Sequence, residues 1–185
     1  GTEHTGRTAR SYESTVQASD VEPCTITATQ TAAAEFVSFN SATASPGKAG
    51  GALTISGTSN SSKLTFSFES SPTPTLVLPA VTTYKANNAN ATSGTAITGD
   101  PGATAEYTFS VEFNVPENET IGSLSCVLLV TSAGGQTSRC TITQAAGDAY
   151  LWVGVENQTE LSITIPAIGT AQVAQVLSNT EWTIS

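Results

Sequence analysis

Hydrophobic positions along this chain recur with a spacing of two or in short runs, and helical spacing is almost absent. Phe109, Val111, Phe113 and Val115 alternate with polar residues, as do Leu64, Phe66 and Phe68, so one face of each segment is expected to pack inward. Bounded by Gly, Pro, Asn and Ser, such segments predict strands near 12–18, 24–29, 35–39, 52–56, 63–68, 76–79, 106–114, 123–131, 138–143, 149–155, 160–165, 171–177 and 181–184. Gly134-Gly135 marks a hairpin tip between two apolar runs. A two-residue turn there pairs residues whose numbers sum to 269, which sets Cys126 opposite Thr143 and gives no register for a bond between Cys126 and Cys140. From Lys85 to Thr104 the chain is rich in Asn, Thr and Gly and reads as a long surface loop. Many short strands without helices predict a sandwich of two antiparallel sheets.

The chain also repeats itself. Cys24-Thr25-Ile26-Thr27, with Gln30 and Phe36 following, recurs as Cys140-Thr141-Ile142-Thr143 with Gln144 and Tyr150, an offset of 116 between the tetrapeptides. Gly50, Ala52 and Ser59-Asn60 recur as Gly169, Ala171 and Ser178-Asn179, an offset of 119. Spacings above about 100 residues fit tandem domains and are too long for a solenoid. At the 116 offset Glu3 falls on Glu119, Gly6 on Gly122 and Thr15 on Thr131. The reading is closing strands of one unit over 1–34, a whole unit over 35–147, and opening strands of another over 148–185. Cys24 and Cys140 then sit in different units, and all three cysteines read as small buried strand residues.

Residues Ile165 to Thr170, with Val173, Val176 and Ser178 to Trp182, resemble the start of a BACON-type domain, and Ser45-Pro46-Gly47 to Ser59-Asn60 carries the corresponding stretch. Val115 to Asn118, and the hairpin into Thr141 to Gly147 with Gln144, resemble the closing strands of that family. The middle departs from it: Lys63-Leu64 stands where Trp182 stands, and Tyr84 to Thr104 has no counterpart. The resemblance implies an all-β, immunoglobulin-like antiparallel β-sandwich, one full domain plus partial domains from the two chain ends. It also implies a secreted or surface setting with glycan-related roles, and it carries no site residues.

Composition narrows the function classes. Only 11% of residues are charged, and Ser, Thr, Ala, Gly and Asn fill the difference, as in secreted β-rich proteins. A net charge of −9 leaves few cations to neutralise phosphates, so neither nucleic acid nor an anionic membrane is an expected partner. No apolar run reaches the ~18–20 residues that span a bilayer. Neither a signal peptide nor a methionine is present, which points to processing or cutting.

Candidate chemistry is sparse, so no enzyme, cofactor or metal is expected. His4 stands alone near a terminus, with no nucleophile and carboxylate placed around it. Glu117 and Glu119 could reach a calcium ion but lack a fuller oxygen cage. Asp100, Glu106 and Glu112 give no assignable pair for glycoside hydrolysis. Asn60, Asn90, Asn118 and Asn157 open Asn-x-Ser/Thr sequons.

The remaining chemistry is that of surfaces. Two-stranded pieces are marginal in water, and the partial units would expose Val16, Ile26, Leu151, Trp152, Leu161, Ile163, Ile165, Val173, Val176, Trp182 and Ile184. These residues are the expected assembly interface, with copies of the same chain, or adjacent domains of a longer one, as partners. Head-to-tail strand complementation would build a filament or array, and Trp182→Ala should weaken it. The alternative is a carbohydrate-binding or adhesive module of a larger surface protein, with Trp152 and Trp182 as a sugar platform. A virion decoration or fibre protein ranks third.

Overall fold

The structure is a computed structural model that describes residues 2–69, 75–100 and 102–185. Among them the chain forms thirteen strands and no helix. A hairpin of β1 (Arg10–Val16) and β2 (Cys24–Gln30) comes first. The central unit follows, with β3 (Val37–Phe39), β4 (Thr43–Ala44), β5 (Gly51–Ser59), β6 (Leu64–Glu69), β7 (Thr83–Ala86), β8 (Ala89–Thr92), β9 (Tyr107–Val115), β10 (Leu124–Ser132) and β11 (Thr137–Gln144). A last small sheet pairs β12 (Leu151–Val153) with β13 (Val176–Ser178).

The central unit is a β-sandwich of a five-stranded sheet, β3-β5-β9-β7-β8, and a four-stranded sheet, β4-β11-β10-β6. All pairings between these strands are antiparallel except the short β4–β11 contact at one edge, which is parallel. Alternation works as predicted in β9, where Phe109, Val111, Phe113 and Val115 are buried between exposed or half-buried neighbours. From the facing sheet, Leu128, Val130, Cys140 and Ile142 meet them in one continuous core. Phe109 lies edge-on to Phe39 and Phe66 at 5.7 and 5.8 Å, an arrangement favoured by the ring quadrupoles.

Several sequence expectations change. Lys85 to Thr104 is not one long loop: β7 and β8 close a tight hairpin in which Asn87 and Asn88 take positive φ (48° and 64°). Asn tolerates that region, so the asparagine run supplies a turn. Ile97 from the same stretch is buried, with its N–H on the Ser62 carbonyl; Pro101 lies outside the described residues. The β10–β11 hairpin closes through Ala133, Gly134 and Gly135, one residue more than a two-residue turn. Paired numbers therefore sum to 268, and Cys126 faces Ile142 while Cys140 faces Leu128. Both thiols are free and buried; burial pushes Cys126 up to about 11 and Cys140 also upward. Cys24 is exposed, contrary to the expected burial.

The 76–79 run is not a strand. It joins β10 through one bridge at Thr75–Ser125 and buries Leu76 and Leu78. The stretches 160–165 and 181–184 form no strand, and 171–177 is reduced to a paired piece at Val176–Ser178. A strand needs a neighbour to satisfy its backbone groups, and among the described residues none pairs with these stretches.

Candidate functional site

The two ends rebuild parts of the central unit, hydrogen bond by hydrogen bond. In the central unit Gln144 Nε2 donates to the Pro116 carbonyl at 2.6 Å, and Gly147 N to the Thr120 carbonyl at 2.7 Å. At the N-terminal end Gln30 Nε2 donates to Thr2 O at 3.3 Å, and Ala33 N to Gly6 O at 3.1 Å. All four residue pairs differ by 114, and so does the ladder: Arg10 opposes Gln30 as Leu124 opposes Gln144. The hairpin β1–β2 is thus a second β10–β11 at an offset of 114. The shared Cys-Thr-Ile-Thr is displaced by two residues from this register, a correction to the sequence alignment. A two-residue displacement keeps every side chain on its face, which is why the tetrapeptide match misled.

The C-terminal end copies β3 and the end of β5. Phe36 N donates to Asn60 Oδ1 and Asn60 Nδ2 to the Ala34 carbonyl, both at 2.8 Å. Tyr150 N donates to Asn179 Oδ1 at 2.9 Å and Asn179 Nδ2 to the Asp148 carbonyl at 2.8 Å. Ser59 Oγ reaches Phe36 O as Ser178 Oγ reaches Tyr150 O. Val37 opposes Ser59 in the ladder, and Leu151 opposes Ser178. The turn closed by Gly50 N on Gly47 O returns as Gly169 N on Pro166 O, with positive φ at both glycines. The offset is 114 through β12 and 119 from that turn onward, so the second copy has five more residues between its first two strands. The joint leading into the central unit carries an added clamp, with Arg7 donating twice to Asp100 at 2.6 and 2.7 Å. That pairing holds the Asp100 carboxyl below its ordinary range.

Burial separates originals from copies. Val130 and Ile142 are fully buried. Val16, which stands at Val130, is 54% exposed, and Ile26, which stands at Cys140, is 57% exposed. Leu151 stands at buried Val37 and is exposed; Val176 stands at Gly57 and is half-buried. Leu161, Ile163 and Ile165 are exposed, and with the 119 offset of the following turn carried back to them they fall on Ala42, Ala44 and Pro46. These seven residues occupy positions that line or flank the inner face of a sandwich. The other four stand elsewhere. Trp152 takes the position of exposed Ser38, Val173 that of exposed Thr54, Trp182 that of Lys63 and Ile184 that of Thr65, all outward positions in the central unit.

Trp152 instead stacks on Tyr150, with ring centroids 4.2 Å apart and planes 18° from parallel. The pair lines an open cleft of about 560 Å³ with Glu117, Glu119 and Glu156, beside the ion pair of Lys48 and Asp148. Glu117 and Glu119 flank Asn118, whose side chain is buried and bonded to the Gly122 and Ala145 carbonyls. Among the described residues no group of three or more His, Cys, Asp or Glu is placed to hold a metal ion. His4 Nε2 bonds to the Thr8 carbonyl at 2.6 Å. Of the sequons, those at Asn60 and Asn118 are buried structural amides, whereas Asn90 and Asn157 are exposed.

Sequence reasoning registered the Ser-Asn repeat without assigning it the role of strand cap, and it missed the Arg7–Asp100 clamp. The recurrence of Asn60 as Asn179 was the available signal for the first; a clamp across 93 residues left none. Compared with protein-family models and with curated proteins, the chain matches none. The likeness to BACON-type domains therefore rests on the residues quoted above alone.

Proposed function

We propose that this chain is a non-enzymatic, extracellular structural subunit of immunoglobulin-like domains that associates head to tail by strand complementation. One observation carries the reading: the two ends hold strands that correspond to parts of the two facing sheets of the central unit, and most of their inward positions are exposed. The N-terminal hairpin corresponds to β10–β11 of the four-stranded sheet, and the C-terminal pair to β3–β5 of the five-stranded sheet. In the central unit these sheets bury each other, at about 25 cal/mol per Å² of apolar surface removed from water. A second copy would cover each exposed face with its natural complement and, through a heterologous contact, extend into a filament.

Light scattering across a concentration series, with negative-stain microscopy, tests the reading. Mass should rise with concentration and linear multiples should appear. A monomer at every concentration would overturn it.

The Tyr150–Trp152 cleft supports a second reading as a carbohydrate-binding or adhesive module. Aromatic faces beside carboxylates and amides suit the apolar faces and hydroxyls of a sugar ring. Glycan-array binding that disappears in Trp152→Ala while oligomer mass is unchanged would favour this reading over assembly.

A further inference from the structure

Within the central unit, β4 adds to the edge of β11 in parallel, with Thr141 opposite Thr43 and Ile142 opposite Ala44. Thr141 N donates to the Ala42 carbonyl at 2.8 Å, and Ala145 N to the Pro46 carbonyl at 3.1 Å. The N-terminal hairpin has β2 in the place of β11, and β1 is its one partner among the described residues. Carrying the 119 offset of the Pro166–Gly169 turn back along the segment that leads into it sets 161–165, which has no strand pairing, in the place of β4. We infer that Leu161–Ile165 of one copy adds as a parallel strand to the free edge of β2 in a second copy, with Ser162 opposite Thr27 and Ile163 opposite Ala28.

Side-chain volumes support this register. Ile142 against Ala44 is a large residue facing a small one on the inner face of the sheet. The counterpart pair is Ala28 against Ile163, the same two residue types with the strands exchanged. The combined volume at that point of the core is unchanged, and volume-conserving exchanges are the ones cores tolerate. Beside it, Ile26 meets Leu161 where Cys140 stands near Ala42, which adds apolar surface to an interface that has to hold two molecules together. The backbone bonds carry over as well: Thr27 N would donate to the Leu161 carbonyl and Thr31 N to the Ile165 carbonyl. Leu161, Ile163 and Ile165 are 39%, 42% and 66% exposed in the single chain, and pairing would bury them. An unpaired apolar strand beside a free sheet edge is also the arrangement most prone to indiscriminate aggregation, which a specific partner prevents.

The inference rests on the head-to-tail reading and fixes its geometry, and the test separates the two. In a Cys24→Ser background, the pair Thr27→Cys and Ser162→Cys places thiols on directly opposed residues, within the span that a disulfide bridges. The control pair, Thr25→Cys with Ser162→Cys, is the register that the Cys-Thr-Ile-Thr match demands. After mild oxidation the first pair should give a ladder of covalent multiples on a non-reducing gel that collapses on reduction, and the control should remain mostly monomeric. Association without a ladder from the first pair, or a stronger ladder from the control, would overturn the register and leave assembly standing. A cross-linked species confined to monomer mass, or no association of the unmodified chain, would overturn both. Hydrogen exchange on the unmodified chain gives an independent readout. Amides of 25–31 and 161–165 should slow by at least about tenfold at assembling concentrations, and unchanged exchange there in a demonstrated oligomer would also overturn the register.

Discussion

The hairpins β10–β11 and β1–β2 share a register, a glutamine that closes the base and a Cys-Thr-Ile-Thr segment, yet one lies in a core and the other in water. Cys126, Leu128, Val130 and Ser132 of β10 are buried, whereas all seven residues of β1 are exposed. The difference is in the surroundings: β10–β11 has β6 and β4 at its edges and a five-stranded sheet across its face. A strand's local pattern thus specifies which face turns inward, and the elements around it decide whether an inside exists. Burial here is a property of how strands come together, and the chain carries two small sheets with no second sheet across their faces among the described residues.

The sharpest way to break this comparison is to cut the same kind of side chain in both hairpins. Leu128→Ala, at a fully buried position, should lower the stability of the central unit by about 2–5 kcal/mol, seen as a drop in its unfolding midpoint. Ile26→Ala should leave that midpoint within about 0.5 kcal/mol, as expected of a surface site, while the concentration needed for association rises. Equal destabilisation by both variants would mean that β1–β2 packs on the central unit after all.

The caps come next. Asn60→Ala orphans a buried N–H and two carbonyls and should cost the central unit about 2–3 kcal/mol. Asn179→Ala removes the two corresponding bonds, and a longer one to the Glu119 carbonyl, from a half-exposed site and should change the central unit's unfolding little, while proteolysis between 150 and 180 accelerates. If Asn179→Ala unfolds the central unit as readily, the two copies are not independent.

A smaller effect should appear with alkali. Burial pushes the Tyr107 phenol from 10.0 up to about 12, and Tyr84 also upward. A raised folded-state value means stability is fully present below the unfolded value of 10.0 and is lost as pH rises through about 12. Titration followed by tyrosinate absorbance and unfolding should therefore show the central unit weakening across that window. A flat profile would mean that neither phenol is as enclosed as its position implies.

Much of this was legible in the sequence, and the failures have physical causes. Alternation in β9 and β6 was legible because one face of each strand is buried. The repeat was legible as well, but its offset in the first hairpin was not. The tetrapeptide match and the hydrogen-bonded register differ by two residues, and a shift of two leaves the hydrophobic pattern unchanged. Asn87-Asn88 read as loop because composition does not distinguish a solvated stretch from a turn that needs two positive φ values. The β4 strand is too short to leave a pattern. The stacking of Trp152 on Tyr150 was not legible, because alternation sets two such residues on one face without fixing how their rings meet. The Arg7–Asp100 clamp joins residues whose proximity arises only once the fold forms.

Gly57 lies beneath Phe109, where a Cβ would collide with that ring and with the Ser38 carbonyl. At the matching position of the C-terminal copy the chain has Val176. A branched side chain there acts as a steric key: no strand running beside β13 in the register of β9 can lay an aromatic ring across it. A strand added there in the register of β9 would have to present a small residue or a gap at this level. One valine thereby distinguishes the C-terminal copy from the sheet it otherwise repeats.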